Sequence, residues 1–155
     1  MRTGVRVGID IGTVRIGVAR SDRDGYLATP METIDRGSEN PIAQIVSMIT
    51  ELNALEVIVG LPLSLNGSHT ASTEDALHMA RELADKTSVP IRLIDERLTT
   101  VSAHSVMRAV GKKQKQTRSV IDQVAAVMIL QHALDSERPT GNLPGKDLSE
   151  FPAQS

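Results

Sequence analysis

The periodicity of this chain predicts an α/β fold, a mixed sheet with helices on its faces. Three observations carry that expectation. The first third alternates apolar and polar residues with a period of two and is broken by glycine turns, as in an antiparallel meander. From Asn40 onward apolar residues recur at helical spacing. Short apolar runs then alternate with these helical stretches, the order that lays helices on the faces of a sheet.

Val5 to Ile11 reads as the first strand. Val5, Val7, Ile9 and Ile11 share one face, while Arg6, Gly8, Asp10 and Gly12 share the other, which is therefore nearly bare except for one carboxylate. Gly12-Thr13-Val14 is a tight turn, and Arg15 to Ser21 returns as the second strand. Asp24-Gly25 is a hairpin signal ahead of a third strand, Tyr26 to Ile34. Asn40 followed by Pro41 marks a helix start, and Ile42, Ile45, Val46, Ile49 and Leu52 supply its apolar stripe. Val57 to Leu61 is a fourth strand. Ser72 or Thr73 caps a second helix that buries Ala76, Leu77, Ala80, Leu83 and Ala84. Pro90 to Asp95 is a fifth strand, and helices are expected over Val101 to Val110 and Val120 to Asp135. The end of the chain has little apolar content, so 1–137 is read as one domain and 138–155 as a flexible tail.

Composition narrows the function. A chain of 155 residues with 40% hydrophobic content can bury one core. No apolar run approaches a membrane span, and the first residues lack an apolar leader, so a soluble cytoplasmic protein without membrane partners is expected. Cysteine is absent, which excludes disulfides and thiolate metal sites. The net charge of −2 gives no global attraction to nucleic acid, so any such contact needs a local patch. Tyr26 and Phe151 are the only aromatic residues, too few for a base-stacking platform.

Three acids stand beside core segments: Asp10 in the first strand, Glu96 after the fifth, and Asp122 at the last helix. Charged groups so placed need a partner, a proton or a metal ion. Carboxylates gathered from distant parts of a chain suit a hard divalent cation such as Mg2+ or Mn2+, and so point to metal-assisted phosphodiester chemistry. Each acid also has a plainer reading. Asp10 could bond turn amides, Asp95 and Glu96 could pair with Arg97, and Asp122 could sit in a helix first turn capped by Ser119. Strand parity alone does not choose between Asp95 and Glu96.

The loop Gly60-Leu61-Pro62-Leu63 to Asn66-Gly67-Ser68 follows a strand, where α/β sheets place ligand loops. Arg108, Lys112, Lys113, Lys115 and Arg118 form a basic run just before Asp122, suited to phosphate contacts. The four histidines lack ligand spacing, no phosphate-binding P-loop occurs, and Ser64 and Ser68 lack a nucleophile-elbow context. These absences argue against zinc, P-loop and serine chemistry.

The segments GIDIGTVRIGVA, VGLPLSLNGS, DERLTT and IDQVAAVMIL occur in that order and together resemble the YqgF (RuvX) family over about Val5 to Asp135. The resemblance implies an RNase H-like mixed five-stranded sheet, ordered 3-2-1-4-5 with strand 2 antiparallel and flanked by helices. It implies a metal-dependent endonuclease that processes the 5′ end of pre-16S rRNA or resolves Holliday junctions. It carries Asp10, Glu96 and Asp122 over as catalytic metal ligands, with Asp95 as a fallback, for Mg2+ or Mn2+. Arg97 would steady the phosphate, and Lys112, Lys113, Lys115 and Arg118 would grip the flanking backbone of a structured RNA or four-way DNA junction. Junction resolution would call for a homodimer, because paired nicks need two sites. Two competing expectations are a catalytically silent nucleic-acid-binding module and a fragment of an actin- or Hsp70-like ATPase. The first phosphate loop of those ATPases is similar to GIDIGTVRIGVA, but they need two lobes, for which this chain is short.

Overall fold

The computed structural model describes residues 1–99 and 118–152, with only the backbone of 118–121. The meander forms as expected: β1 (Arg6–Ile11), β2 (Arg15–Ser21) and β3 (Ala28–Asp35) pair antiparallel in sequence. β4 (Glu56–Leu61) then pairs parallel to β1, and β5 (Ile91–Asp95) parallel to β4. Helices α1 (Pro41–Glu51), α2 (Ala71–Ala84) and α3 (Arg118–Thr140) complete the architecture among the described residues. The helix expected over 101–110 lies outside the described residues.

The sheet has six strands, ordered β3-β2-β1-β4-β5-β6, so the expected count of five is corrected by one. The extra strand, β6 (Lys146–Asp147), pairs antiparallel with Arg92 and Leu93. Two residues carry no readable period. This strand exists through distant contacts: Arg92 Nε donates to Pro144 O at 2.6 Å and Nη2 to Gly145 O at 3.1 Å. It falls in the segment 138–155, which also holds the end of α3 and a 3-10 turn, Leu148–Glu150.

Local signals set most boundaries. Asn40 accepts from Ala43 N–H at 3.2 Å and caps α1, with Pro41 next. The cap of α2 is Thr70 rather than Ser72 or Thr73, because Thr70 and Thr73 satisfy each other's backbone N–H in a capping box. Tyr26 precedes β3: Asp22 Oδ1 accepts the N–H groups of Tyr26 and Leu27, both at 2.9 Å, and keeps them in the hairpin.

The two faces of the sheet are packed differently. One buries Val7, Ile9, Ile16, Val18, Val57, Val59 and Leu93 against α1 and α2. The other, bare in the sequence of β1, receives α3, whose Ala126, Ile129, Leu130 and Ala133 pack on Ala19, Ile58 and Ile94. Each large aliphatic side chain buried here contributes about 1.5–3 kcal/mol. The close approach requires missing side chains. A Cβ on Gly8 would stand 2.6 Å from Leu130 Cβ, and one on Gly17 would stand 2.1 Å from Asp122 O.

A buried charge cluster closes the opposite end of β1. Arg2 binds Glu137 at 2.6 Å and Glu56 at 3.0 Å, and the fully buried Arg6 faces Glu137 at 3.5 Å. This cluster fixes the end of α3 and hence the level at which the helix lies on the sheet.

Candidate active site

The C-terminal ends of β1, β4 and β5 lie at one edge of the sheet, and the sequence-designated acids gather there. Asp10 sits one residue before the end of β1, directly across from Gly17 on β2. Its side chain points to the α3 face by strand alternation. Glu96 opens the 3-10 turn Glu96–Leu98 that follows β5. Its carboxyl group reaches into the sheet over Gly60 of β4. A Cβ on Gly60 would stand 2.6 Å from Glu96 Oε1, so the glycine is what leaves room for the acid.

Asp10 and Glu96 are hydrogen-bonded to each other, which requires a proton between two carboxyl groups. Burial pushes Glu96 up to about 8, and the charge of Asp10, their mutual hydrogen bond and the charge of Asp95 add to it. Burial also raises Asp10, opposed by the hydrogen bond from Glu96 and reinforced by the charge of Asp122. The pair therefore holds one proton near neutrality, with burial raising both carboxyl groups.

Asp122 is the third acid. Ser119 is already helical and Asp122 lies beyond the first turn of α3, so the capping reading of this residue does not apply. Asp122 is close enough for its charge to act on Asp10, and its Oδ2 accepts a 2.8 Å hydrogen bond from Arg15 Nε. Among the described residues no three acid or histidine side chains converge tightly enough to hold an ion as they stand. Asp10 and Glu96 meet, while Asp122 stands next to them bound to an arginine.

Asp95 takes a different part. It accepts the backbone N–H of Arg97 at 2.9 Å and its side chain at 2.6–3.0 Å, which holds the carboxylate below its usual range. Arg97 in turn donates to Leu65 O at 3.2 Å. Asp95 and Arg97 together brace the Leu65 loop against the turn that carries Glu96. Lys112, Lys113 and Lys115 lie outside the described residues, and of Arg118 only the backbone is described.

Three contributors were given no role of their own by the sequence reading: Arg15 and Gly17, within the GIDIGTVRIGVA segment, and Gly60, within VGLPLSLNGS. Strand parity puts Arg15 and Gly17 on the Asp10 side of β2, a signal the sequence offered beside the motif itself. The donor set is all oxygen, crowded and proton-retaining, which fits a divalent cation of the magnesium or manganese type.

Superposed on solved structures, the chain has the fold of RuvC. It matches Thermus thermophilus RuvC in complex with a Holliday junction substrate with a TM-score of 0.59, 17% identity, and 93% and 99% of the two chains covered. A second RuvC structure from that organism gives 0.56 at 16% identity, over 92% and 99%. These define an RNase H-like α/β fold. The chain belongs to the RuvX family, whose model, described as Holliday junction resolvase, matches residues 4–136. Relatives named "Putative pre-16S rRNA nuclease" include one from Leifsonia xyli, 56% identical over 94% of both chains. Another, from Clavibacter michiganensis, is 53% identical over 94% of this chain and 91% of its own.

Proposed function

We propose that this protein is a metal-dependent endonuclease that trims precursor 16S rRNA, acting at the site formed by Asp10, Glu96 and Asp122. The observation that carries the reading is the proton-sharing Asp10–Glu96 pair, half-buried at the sheet edge with Asp122 beside it. Family membership and the names of relatives about 50% identical support the substrate class. Resolution of four-way DNA junctions is the second reading, favoured by the family description and the RuvC fold.

Asp10, Glu96 and Asp122 would hold the divalent ion or ions, Mg2+ or Mn2+, once the shared proton has left the pair. The bound ion would supply Lewis-acid stabilisation at the phosphate and a more acidic water, as in two-metal hydrolysis. The residues of the chain provide the rest. Gly60 and Gly17 let Glu96 and the start of α3 come down to Asp10, and the α3 packing excludes water from one side. The Asp95–Arg97 brace keeps the turn bearing Glu96 in place. The basic run, Lys112 to Arg118, would track the flanking phosphates. With two aromatic residues in the chain, recognition would rest on backbone path and shape more than on base identity. Residues 1–137 would form the catalytic unit, working in the cytoplasm, and a homodimer is required only for junction resolution. A catalytically silent binding module is the contrasting case.

The decisive experiment is a side-by-side cleavage assay on a precursor-rRNA leader and a four-way DNA junction, with Mg2+, Mn2+ or EDTA. Metal-dependent cutting of the RNA that is lost in Asp10→Asn is the expected result. Binding of both substrates without cleavage under any metal would refute the enzyme and leave the binding module.

A further inference from the structure

Two arginines stand at the acidic edge, and they differ in what they have left to offer. Arg97 commits Nε and Nη2 to Asp95 and Nη1 to the carbonyl of Leu65. Arg15 commits only Nε, to Asp122, at 2.8 Å. Its two terminal nitrogens meet no protein acceptor among the described residues. Neither is among the buried side-chain nitrogens left unpaired in the described residues. The side chain is 26% exposed and its partner Asp122 18%, so the pair sits at the mouth of the site rather than in the core. Arg15 emerges from the turn after Asp10, and Gly12 N–H binds Arg15 O at 2.9 Å, so its backbone is fixed while its tip is open. Arg36 steadies the same turn, donating to Gly12 O at 2.9 Å while paired with Asp75.

The location of this cation matters as much as its open fork. A guanidinium on Asp122 supplies positive charge to the one acid of the three that the Asp10–Glu96 proton does not serve. A divalent ion drawing Asp122 toward Asp10 would compete directly with it. Once displaced, a planar fork with up to five N–H donors at the rim of a phosphodiester site is suited to a phosphate oxygen pair.

We propose that Arg15 is a two-position residue. Without a cation it latches Asp122; with cation and nucleic acid present it releases Asp122 and binds a backbone phosphate beside the cleaved bond. The proposal rests on the nuclease reading of the site and assigns the phosphate-steadying part to Arg15 in place of Arg97.

The two positions predict changes of opposite sign in one variant. In Arg15→Gln, Mn2+ binding measured by calorimetry without nucleic acid should tighten several-fold, because the competing cation is gone. Binding of the precursor-rRNA leader, measured over a salt series at a fixed Ca2+ concentration in place of Mg2+ or Mn2+, should weaken roughly tenfold, the loss of about one charge-assisted contact. The log–log salt slope should fall by about 0.7–0.9. Arg15→Lys, which keeps charge without the fork, should retain the salt slope while losing part of the affinity. Unchanged Mn2+ affinity and unchanged salt slope in Arg15→Gln would overturn the proposal. So would parallel weakening of both ligands, which is what a purely structural arginine would give. If Arg15→Gln does not fold, Arg15→Lys with a reduced salt slope is the refuting result. Failure of the wild type to bind either the RNA leader or the DNA junction would instead remove the nuclease reading, and this proposal with it.

Discussion

Glu96→Gln should make the metal-free protein more stable, and only at high pH. In the folded chain Glu96 keeps its proton up to about 8, against 4.5 ordinarily. At about 1.4 kcal/mol for each tenfold change in proton affinity, that displacement corresponds to on the order of 5 kcal/mol. Because the folded-state value is raised, the stabilising contribution is complete below pH 4.5 and is lost as pH climbs from there to about 8. Above that range wild type must keep two adjoining carboxylates ionised. Glutamine imitates the protonated acid at every pH, with an N–H still able to donate to Asp10. Relaxation of the turn and entry of water reduce the gain, so a measured advantage of about 2–4 kcal/mol at pH 9 is expected, vanishing near pH 4.5. The assay is denaturant unfolding in EDTA between pH 4.5 and 9 for both proteins. For a chain of this length each kcal/mol moves the midpoint temperature by about 2–4 °C, so a thermal scan would also register it. Parallel stability curves for the two proteins would refute the shared-proton arrangement, since every other titrating group is common to both.

Asp10→Asn and Asp122→Asn should each abolish metal-dependent cleavage, whereas Asp95→Asn should leave cleavage measurable, because Asp95 serves Arg97 and the loop; full activity in either of the first two removes that residue from the site. Gly17→Ala places a Cβ where Asp122 O stands, at 2.1 Å, so the start of α3 must lift. A loss of about 1–3 kcal/mol in unfolding free energy with a larger loss of cleavage is expected, and unchanged cleavage would show that the helix need not sit so close. Glu137→Ala removes the carboxylate that faces buried Arg6, leaving Arg2 only Glu56, and should cost about 3–5 kcal/mol by denaturant titration without altering the ligands at the other end of the sheet.

Much of this architecture was written locally. The alternation Val5-Val7-Ile9, the Asp24-Gly25 hairpin and the Asn40-Pro41 start each act within a few residues, so the meander and α1 were legible without coordinates. The bare face of β1 was legible too, though its meaning was not: it is the bed of α3. The sixth strand was hidden because Lys146–Asp147 has no pattern of its own and is held by Arg92 from fifty residues away. The cap of α2 was misplaced by two or three residues because Ser72, Thr73 and Thr70 all have the right chemistry, and the reciprocal bonding that selects Thr70 is a matter of geometry.

For the site, the sequence alone supplied the candidates: three acids beside apolar segments, in motifs that mark a family, and an oxygen-only donor set. Strand parity left Asp95 and Glu96 open, and only the family resemblance preferred Glu96, with Asp95 as the fallback. The tertiary structure decided between them as neighbours of Asp10, because a 3-10 turn after β5 sends one carboxylate across Gly60 to Asp10 and hands the other to Arg97. It also brought Arg15 to Asp122, a pairing of residues more than one hundred positions apart. Periodicity reports which face a side chain occupies. Only the packing of distant elements on that face determines which charges meet.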